Sequence, residues 1–265
     1  MMVPKIGVFD SGFGGLTVLR ELRKVLPCAD YLYFGDTAHL PYGAKSVRTV
    51  AKYAIASAQF LEQRGINMLV IACNTATALA LDEIRAAVKV PVVGVIEPGS
   101  QRASEISKTR QAAIIATDAT VSSHAYQRAL QAFGLQATEK ACPLFVPLVE
   151  EGWVEHSVTE QVAHIYIDEI FRDGARNADV LLLGCTHYPL IRPLLRRVTP
   201  PQVEIVDSAE STAAKVLSLL GNQAKGRPAG SLHCYATDSV EKFRRLGEKF
   251  LGCPIEKIEL IDIEK

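Results

Sequence analysis

Short unbroken apolar runs alternate with longer amphipathic stretches along the whole chain. Lys5–Phe9 reads as a buried strand, a glycine turn follows, and Leu16–Val25 carries apolar positions at helical spacing. Tyr31–Phe34 predicts a second strand. Ser46 is placed to cap a long helix to Arg64, which Gly65 stops. Met68–Ala72 predicts a third strand with a helix after it through Leu79–Val88, and Val92–Val95 a fourth strand. A helix is expected after Pro98, then a strand over Ala112–Ala116 and a helix ending near Phe133 and Gly134. Ser157 and Glu160 have the spacing of a capping box for a helix to Phe171. Val180–Leu183 and Glu204–Val206 predict strands, the second followed by a helix through Leu220. Leu232–Tyr235, a helix over Val240–Leu251 and Ile258–Ile261 close the chain.

Continuous apolar strands alternating with helices predict an α/β fold with mostly parallel sheets covered by helices. In such sheets ligands sit beyond the carboxyl ends of the strands. The segments there are Asp10-Ser11-Gly12, Gly35-Asp36-Thr37, Cys73-Asn74-Thr75, Glu97-Pro98-Gly99, Thr117-Asp118, Gly184-Cys185-Thr186-His187 and Asp207-Ser208. Nearly all are small, polar or ionisable. Two segments share a pattern: Leu69–Arg85 and Leu181–Arg197 each run from an apolar strand to Cys, a polar pair containing Thr, and an apolar helix. Ile6–Ser11 and Ile114–Asp118 echo one another more weakly. The chain reads as two similar α/β units with one Cys in the same place in each; a chance likeness between two buried strand–turn–helix segments is the open alternative.

Composition narrows the function classes. The chain has 265 residues, 48% hydrophobic and 22% charged, with 29 Lys and Arg against 29 Asp and Glu. Zero net charge argues against an extended polyanion such as nucleic acid as partner. No run approaches a membrane span, and the N-terminal apolar run is too short for a targeting segment. Cys28, Cys73, Cys142, Cys185, Cys234 and Cys253 form no C-x-x-C pair. Reduced thiols in a cytoplasmic protein are therefore expected.

Cys73 and Cys185 stand out because a Cys that follows a strand and opens a helix meets backbone N–H groups and the positive helix end. Both favour thiolate and predict a lowered pKa. The other four cysteines lack that context and read as structural. If two similar units face each other, a small molecule between them has a thiol on either side. That arrangement suits stereochemical inversion: one group removes a proton from one face and the other returns one to the opposite face. A metal site from Cys73, Cys185 and His187 is a rival reading, weakened by its spacing. His187 can tune Cys185 or shuttle a proton, or merely satisfy backbone groups. Asp10 can do the same beside Cys73, or cap the following helix. Asp10–Gly15 (DSGFGG) partly fits a dinucleotide fingerprint, but Thr17 stands where its third glycine belongs. Pro41–Gly43 is a turn that offers a phenol and backbone donors, or simply a turn.

FDSGFGGLTVLRE, GDTAHLPYG, ACNTATA, PLVEEG and LLGCTHYPL, in this order, closely resemble the glutamate racemases of bacteria, within the wider aspartate/glutamate racemase superfamily. The likeness runs from about Ile6 to Asp207. The resemblance implies two α/β domains around a central cleft, one discontinuous over 1–97 plus 208–265 and one over 98–207. It implies cofactor-independent interconversion of L- and D-glutamate, with D-glutamate entering peptidoglycan precursors. Cys73 matches the catalytic cysteine that takes the proton from D-glutamate, and Cys185 the one that takes it from L-glutamate. Asp10, Ser11, Tyr42, Gly43, Asn74, Thr75, Thr186 and His187 match substrate-contacting positions; Asp36, Thr117 and Glu150 resemble further polar site residues. No metal or cofactor is implied, and a homodimer is. Some members carry a longer N-terminus and need a cell-wall precursor as activator; none is expected here.

Overall fold

The computed structural model describes residues 3–221 and 229–263; residues 1–2, 222–228 and 264–265, which the expected domain ranges include, lie outside the described residues. The first strand, β1 (Lys5–Asp10), is buried from Ile6 onward. Burial on both faces is what an unbroken apolar run requires. The chain then enters α1 (Leu16–Val25), β2 (Asp30–Gly35), α2 (Val47–Gln63), β3 (Met68–Ile71), α3 (Asn74–Ala87) and β4 (Val92–Gly94). Ser46 caps α2 as expected, its hydroxyl accepting the Thr49 N–H.

The second run comprises α4 (Ile96–Ile106), β5 (Gln111–Ala116), α5 (Asp118–Ser122), α6 (Ala125–Ala132), β6 (Gln136–Ala141), α7 (Phe145–Glu150), α8 (Ser157–Asp173), β7 (Val180–Gly184), α9 (Arg192–Val198) and β8 (Glu204–Asp207). The chain continues through α10 (Ser208–Leu220), β9 (Leu232–Ala236), α11 (Val240–Leu251) and β10 (Ile258–Leu260).

These strands form a six-stranded sheet, in the order β10-β9-β2-β1-β3-β4, and a four-stranded sheet, in the order β6-β5-β7-β8. Every pairing is parallel. The segment β2-β1-β3-β4 of the first sheet and the whole second sheet repeat one strand order. In that correspondence β3 matches β7, the strands that precede Cys73 and Cys185. In each sheet the order reverses beside the inner strand, between β1 and β3 and between β5 and β7. Such a reversal opens a crevice at the carboxyl ends. One apolar cluster joins Ile6 and Val8 of the first sheet to Leu181 and Leu183 of the second. Helix α1 packs on α10 and α11, and α10 also packs on α4.

Several local expectations are corrected. Helix α4 begins at Ile96, ahead of Pro98, because a proline in the first turn has no helical hydrogen bond to lose. The helix expected to reach Phe133 is two, α5 and α6, parted at His124 with φ of 53°. His156, not Ser157, caps α8: its ring accepts the Val158 N–H, and Glu160 instead lies 3.6 Å from Arg197. Strand β6 was unexpected because its sequence QATEKA has no buried residue, as a polar edge strand allows. Cys185 does not open an α-helix; a 3₁₀ turn over Tyr188–Ile191 precedes α9, with proline near the start of each.

Candidate active site

A cleft lies where the carboxyl ends of β1, β3 and β7 meet. Ser11, Tyr42, Gly43, Cys73, Asn74, Thr75, Cys185, Thr186 and His187 all line it, with Thr117 and Glu150. Phe13, Leu40 and Val146 supply apolar wall. Both cysteines are nearly buried, at 5% and 6% exposure. The structure thus gathers every substrate-contacting candidate except Asp10, which is buried behind the lining. Asp10 accepts the Gly12 N–H at 2.9 Å, as a cap of the glycine turn, and its second carboxylate oxygen has no hydrogen-bond partner. Burial raises its pKa against the pull of His187.

Cys73 stands at the start of α3, where its sulfur accepts the Ala76 N–H at 3.4 Å and lies 3.6 Å from the Ser11 hydroxyl. Its expected low pKa is overturned. Burial, reinforced by the negative charge of Asp10, pushes the thiol up to about 12. The helix start is present as expected, but loss of water around the thiolate outweighs it. The Cys185 sulfur lies 3.9 Å from His187 Nδ1. The other ring nitrogen of His187 lies 3.4 Å from Glu150. Burial opposes a charge on that imidazole, but Cys185 and Glu150 prevail and raise its pKa to about 10.

Each cysteine motif is gripped by elements of the other sheet. Behind Cys73, Asn74 donates to the Tyr126 hydroxyl at 2.7 Å, while the Thr75 hydroxyl lies 3.0 Å from that of Thr117 and 3.2 Å from that of Thr120. Behind Cys185, the Thr186 carbonyl lies 3.0 Å from the Thr17 hydroxyl on α1. The glycine loop packs against the same motif. A Cβ on Gly14 would fall 2.3 Å from Thr186 Oγ1 and 2.6 Å from the His187 ring. Close approach, rather than nucleotide binding, accounts for the glycine there. Tyr42 is fixed by donating its hydroxyl to Asp36 at 2.6 Å, and Asp36 also engages His39 and Thr237. Asp36 is fully buried and does not line the cleft.

Tyr126 and Lys242 escaped the sequence reading. Tyr126 sits in an ordinary amphipathic stretch, and Lys242 lies in a C-terminal helix remote from every motif. Among the described residues, no group of three or more His, Cys, Asp or Glu could hold a metal ion. Nor is any described helix long and apolar enough to cross a membrane.

A family model described as Asp/Glu/Hydantoin racemase matches residues 16–216. A glutamate racemase of Koribacter versatilis is 55% identical, with 98% of each chain covered. One of Geobacter metallireducens is 42% identical over 98% of this chain and 97% of its own. The crystal structure of glutamate racemase from Francisella tularensis in complex with D-glutamate superposes with a TM-score of 0.91 at 35% identity, covering 98% of both chains.

Proposed function

The chain belongs to the Asp/Glu/hydantoin racemase family, on its glutamate racemase branch, and we propose that it interconverts L- and D-glutamate with Cys73 and Cys185 as the two proton-transfer groups. The observation that carries this reading is that both thiols line one cleft, each following the matching strand of a repeated strand order. In this reading the sulfurs address Cα from opposite sides. Cys73 takes the proton from D-glutamate while Cys185 delivers one to the other face, and the roles exchange for L-glutamate. No cofactor enters, because both proton carriers are side chains.

The Cα proton is far less acidic than a thiol, so the carbanion needs oriented donors around it. Ser11, Tyr42, Gly43, Asn74, Thr75, Thr186 and His187 are proposed to hold the substrate and supply those donors. Fixing both carboxylates sets Cα between the sulfurs, which is the positioning share of catalysis. A protonated His187 can hand its proton to the Cys185 sulfur beside it. Asp10 works from behind, ordering the Gly12 turn and facing the Cys73 side. The raised pKa of Cys73 keeps its thiol protonated, which suits it to deliver a proton to the carbanion formed from L-glutamate.

The Francisella tularensis relative was solved with D-glutamate, which supports the substrate assignment. The same reading assigns residues 1–97 with 208–265 and residues 98–207 to two domains. It takes the product to be destined for peptidoglycan in the cytoplasm, and the working form to be a homodimer. The test is incubation of each glutamate enantiomer in D₂O with purified protein and no added cofactor. Product of the opposite hand carrying deuterium at Cα is expected; inverted product free of deuterium overturns proton transfer by exchangeable thiols. Rescue of a D-glutamate auxotroph tests the cell-wall role.

A further inference from the structure

Helix α11 reaches the Cys185 side of the cleft twice. Lys242 Nζ lies 3.5 Å from one Glu150 oxygen, while His187 lies 3.4 Å from the other. Phe250 stacks edge-on against the His187 ring, with centroids 5.0 Å apart. Phe13 bounds the imidazole at 6.1 Å, and Lys242 sits over that same Phe13 ring at 5.7 Å. Glu150 therefore stands between an ammonium and an imidazole. It belongs to α7, beside the four-stranded sheet, whereas α11 joins β9 to β10 of the six-stranded one.

We propose that Lys242 is a positioning residue for the Cys185-side proton transfer, competing with His187 for Glu150 and so easing release of the imidazole proton. The proposal rests on the racemase reading above. Its physics is simple. A carboxylate shared with a lysine holds a neighbouring imidazolium less tightly than one that faces the imidazolium alone. Lys242 also holds the Glu150 carboxylate by charge, beside the ring that presents Nδ1 to Cys185. The groups facing His187 are Cys185 and Thr186 from its own loop, Glu150 from α7, the Phe13 and Phe250 rings, and the buried charge of Asp10. Lys242 is the cation that bears on this set through Glu150. Its side chain is 44% exposed, so its influence is moderate and is screened by salt.

The experiment compares Lys242→Met, which removes charge and keeps length, with Lys242→Arg, which restores charge. The His187 ring is followed by NMR titration, its signal assigned by loss in His187→Gln. Lys242→Met is expected to raise the His187 midpoint by about half a pH unit at low salt, and Glu150→Gln to lower it. Lys242→Arg returns it to the parent value. Lys242→Met also lowers kcat/KM by about threefold at low salt. With substrate deuterated at Cα, the isotope effect then rises for L-glutamate and falls for D-glutamate, because transfer at Cys185 becomes the slower step. An unmoved or lowered midpoint in Lys242→Met, no rescue by Arg, or equal isotope-effect changes for both enantiomers overturns the proposal. A parent protein that shows the titration pattern but no racemisation overturns the racemase reading instead, and with it the kinetic half alone.

Discussion

Tyr42 donates its hydroxyl to Asp36 at 2.6 Å, and this bond ties the cleft-lining Pro41–Gly43 turn to a carboxylate with no exposure to water. Tyr42→Phe deletes the donor and leaves that Asp36 oxygen without its partner. A loss of about 1–3 kcal/mol in unfolding free energy is expected. Urea denaturation measures it, and a higher KM for glutamate accompanies it as the turn loosens. An unchanged midpoint and KM would show the bond to be dispensable.

Gly14→Ala sets a methyl group against Thr186 and His187 at distances that real contacts do not allow. The neighbours are side chains of the two residues that follow Cys185, so relief of the clash disturbs the groups beside the thiol. Overpacking of this kind costs about 1–3 kcal/mol. Racemisation is expected to fall far more than stability does, which paired activity and denaturation measurements on one preparation separate.

Loss of either thiol is expected to abolish net racemisation without unfolding the chain. Each sulfur is small and buried, so Cys73→Ala and Cys185→Ala remove little packing. Circular dichroism checks the fold and polarimetry the turnover. Near-parental turnover in either variant removes that cysteine from the mechanism.

Two raised pKa values give stability a direction in pH. His187 moves from 6.5 to about 10, so the folded state holds its proton where the unfolded state has lost it. That contribution is complete below 6.5 and disappears as pH climbs through about 10. Cys73 moves from 9.0 to about 12, and its contribution fades between those values. Unfolding free energy should therefore decline from neutral toward alkaline pH. His187→Gln flattens the first part of the decline, and Cys73→Ala removes its own share of the second, to which Cys142, Cys234 and the buried tyrosines also contribute. Parallel pH profiles in parent and variants would contradict both assignments.

The parallel strands were legible because apolar runs buried on both faces leave a strong, local mark. The cleft was legible for the same reason: small and polar residues at strand ends have little other cause. What escaped lacks such marks. Strand β6 has the composition of a loop and is a strand only because β5 offers it an edge. The Cys73 pKa depends on how much water folding strips from the sulfur, which no spacing encodes. Lys242 lies more than fifty residues past His187 in the chain and meets it through Glu150 and the Phe13 ring. The repeated cysteine segments, by contrast, pointed to two like units, and the shared strand order of the sheets agrees with that pattern.

The crossed grip on the two cysteine motifs has a mechanical consequence. Asn74 and Thr75 hang from the partner sheet's helices, and Thr186 hangs from α1 on the opposite side. Any swing that parts the sheets therefore tugs on both sulfur-bearing loops together. An opening between the sheets is therefore expected to displace the Cys73 and Cys185 loops together, so that the proposed proton-transfer pair comes into register as a unit.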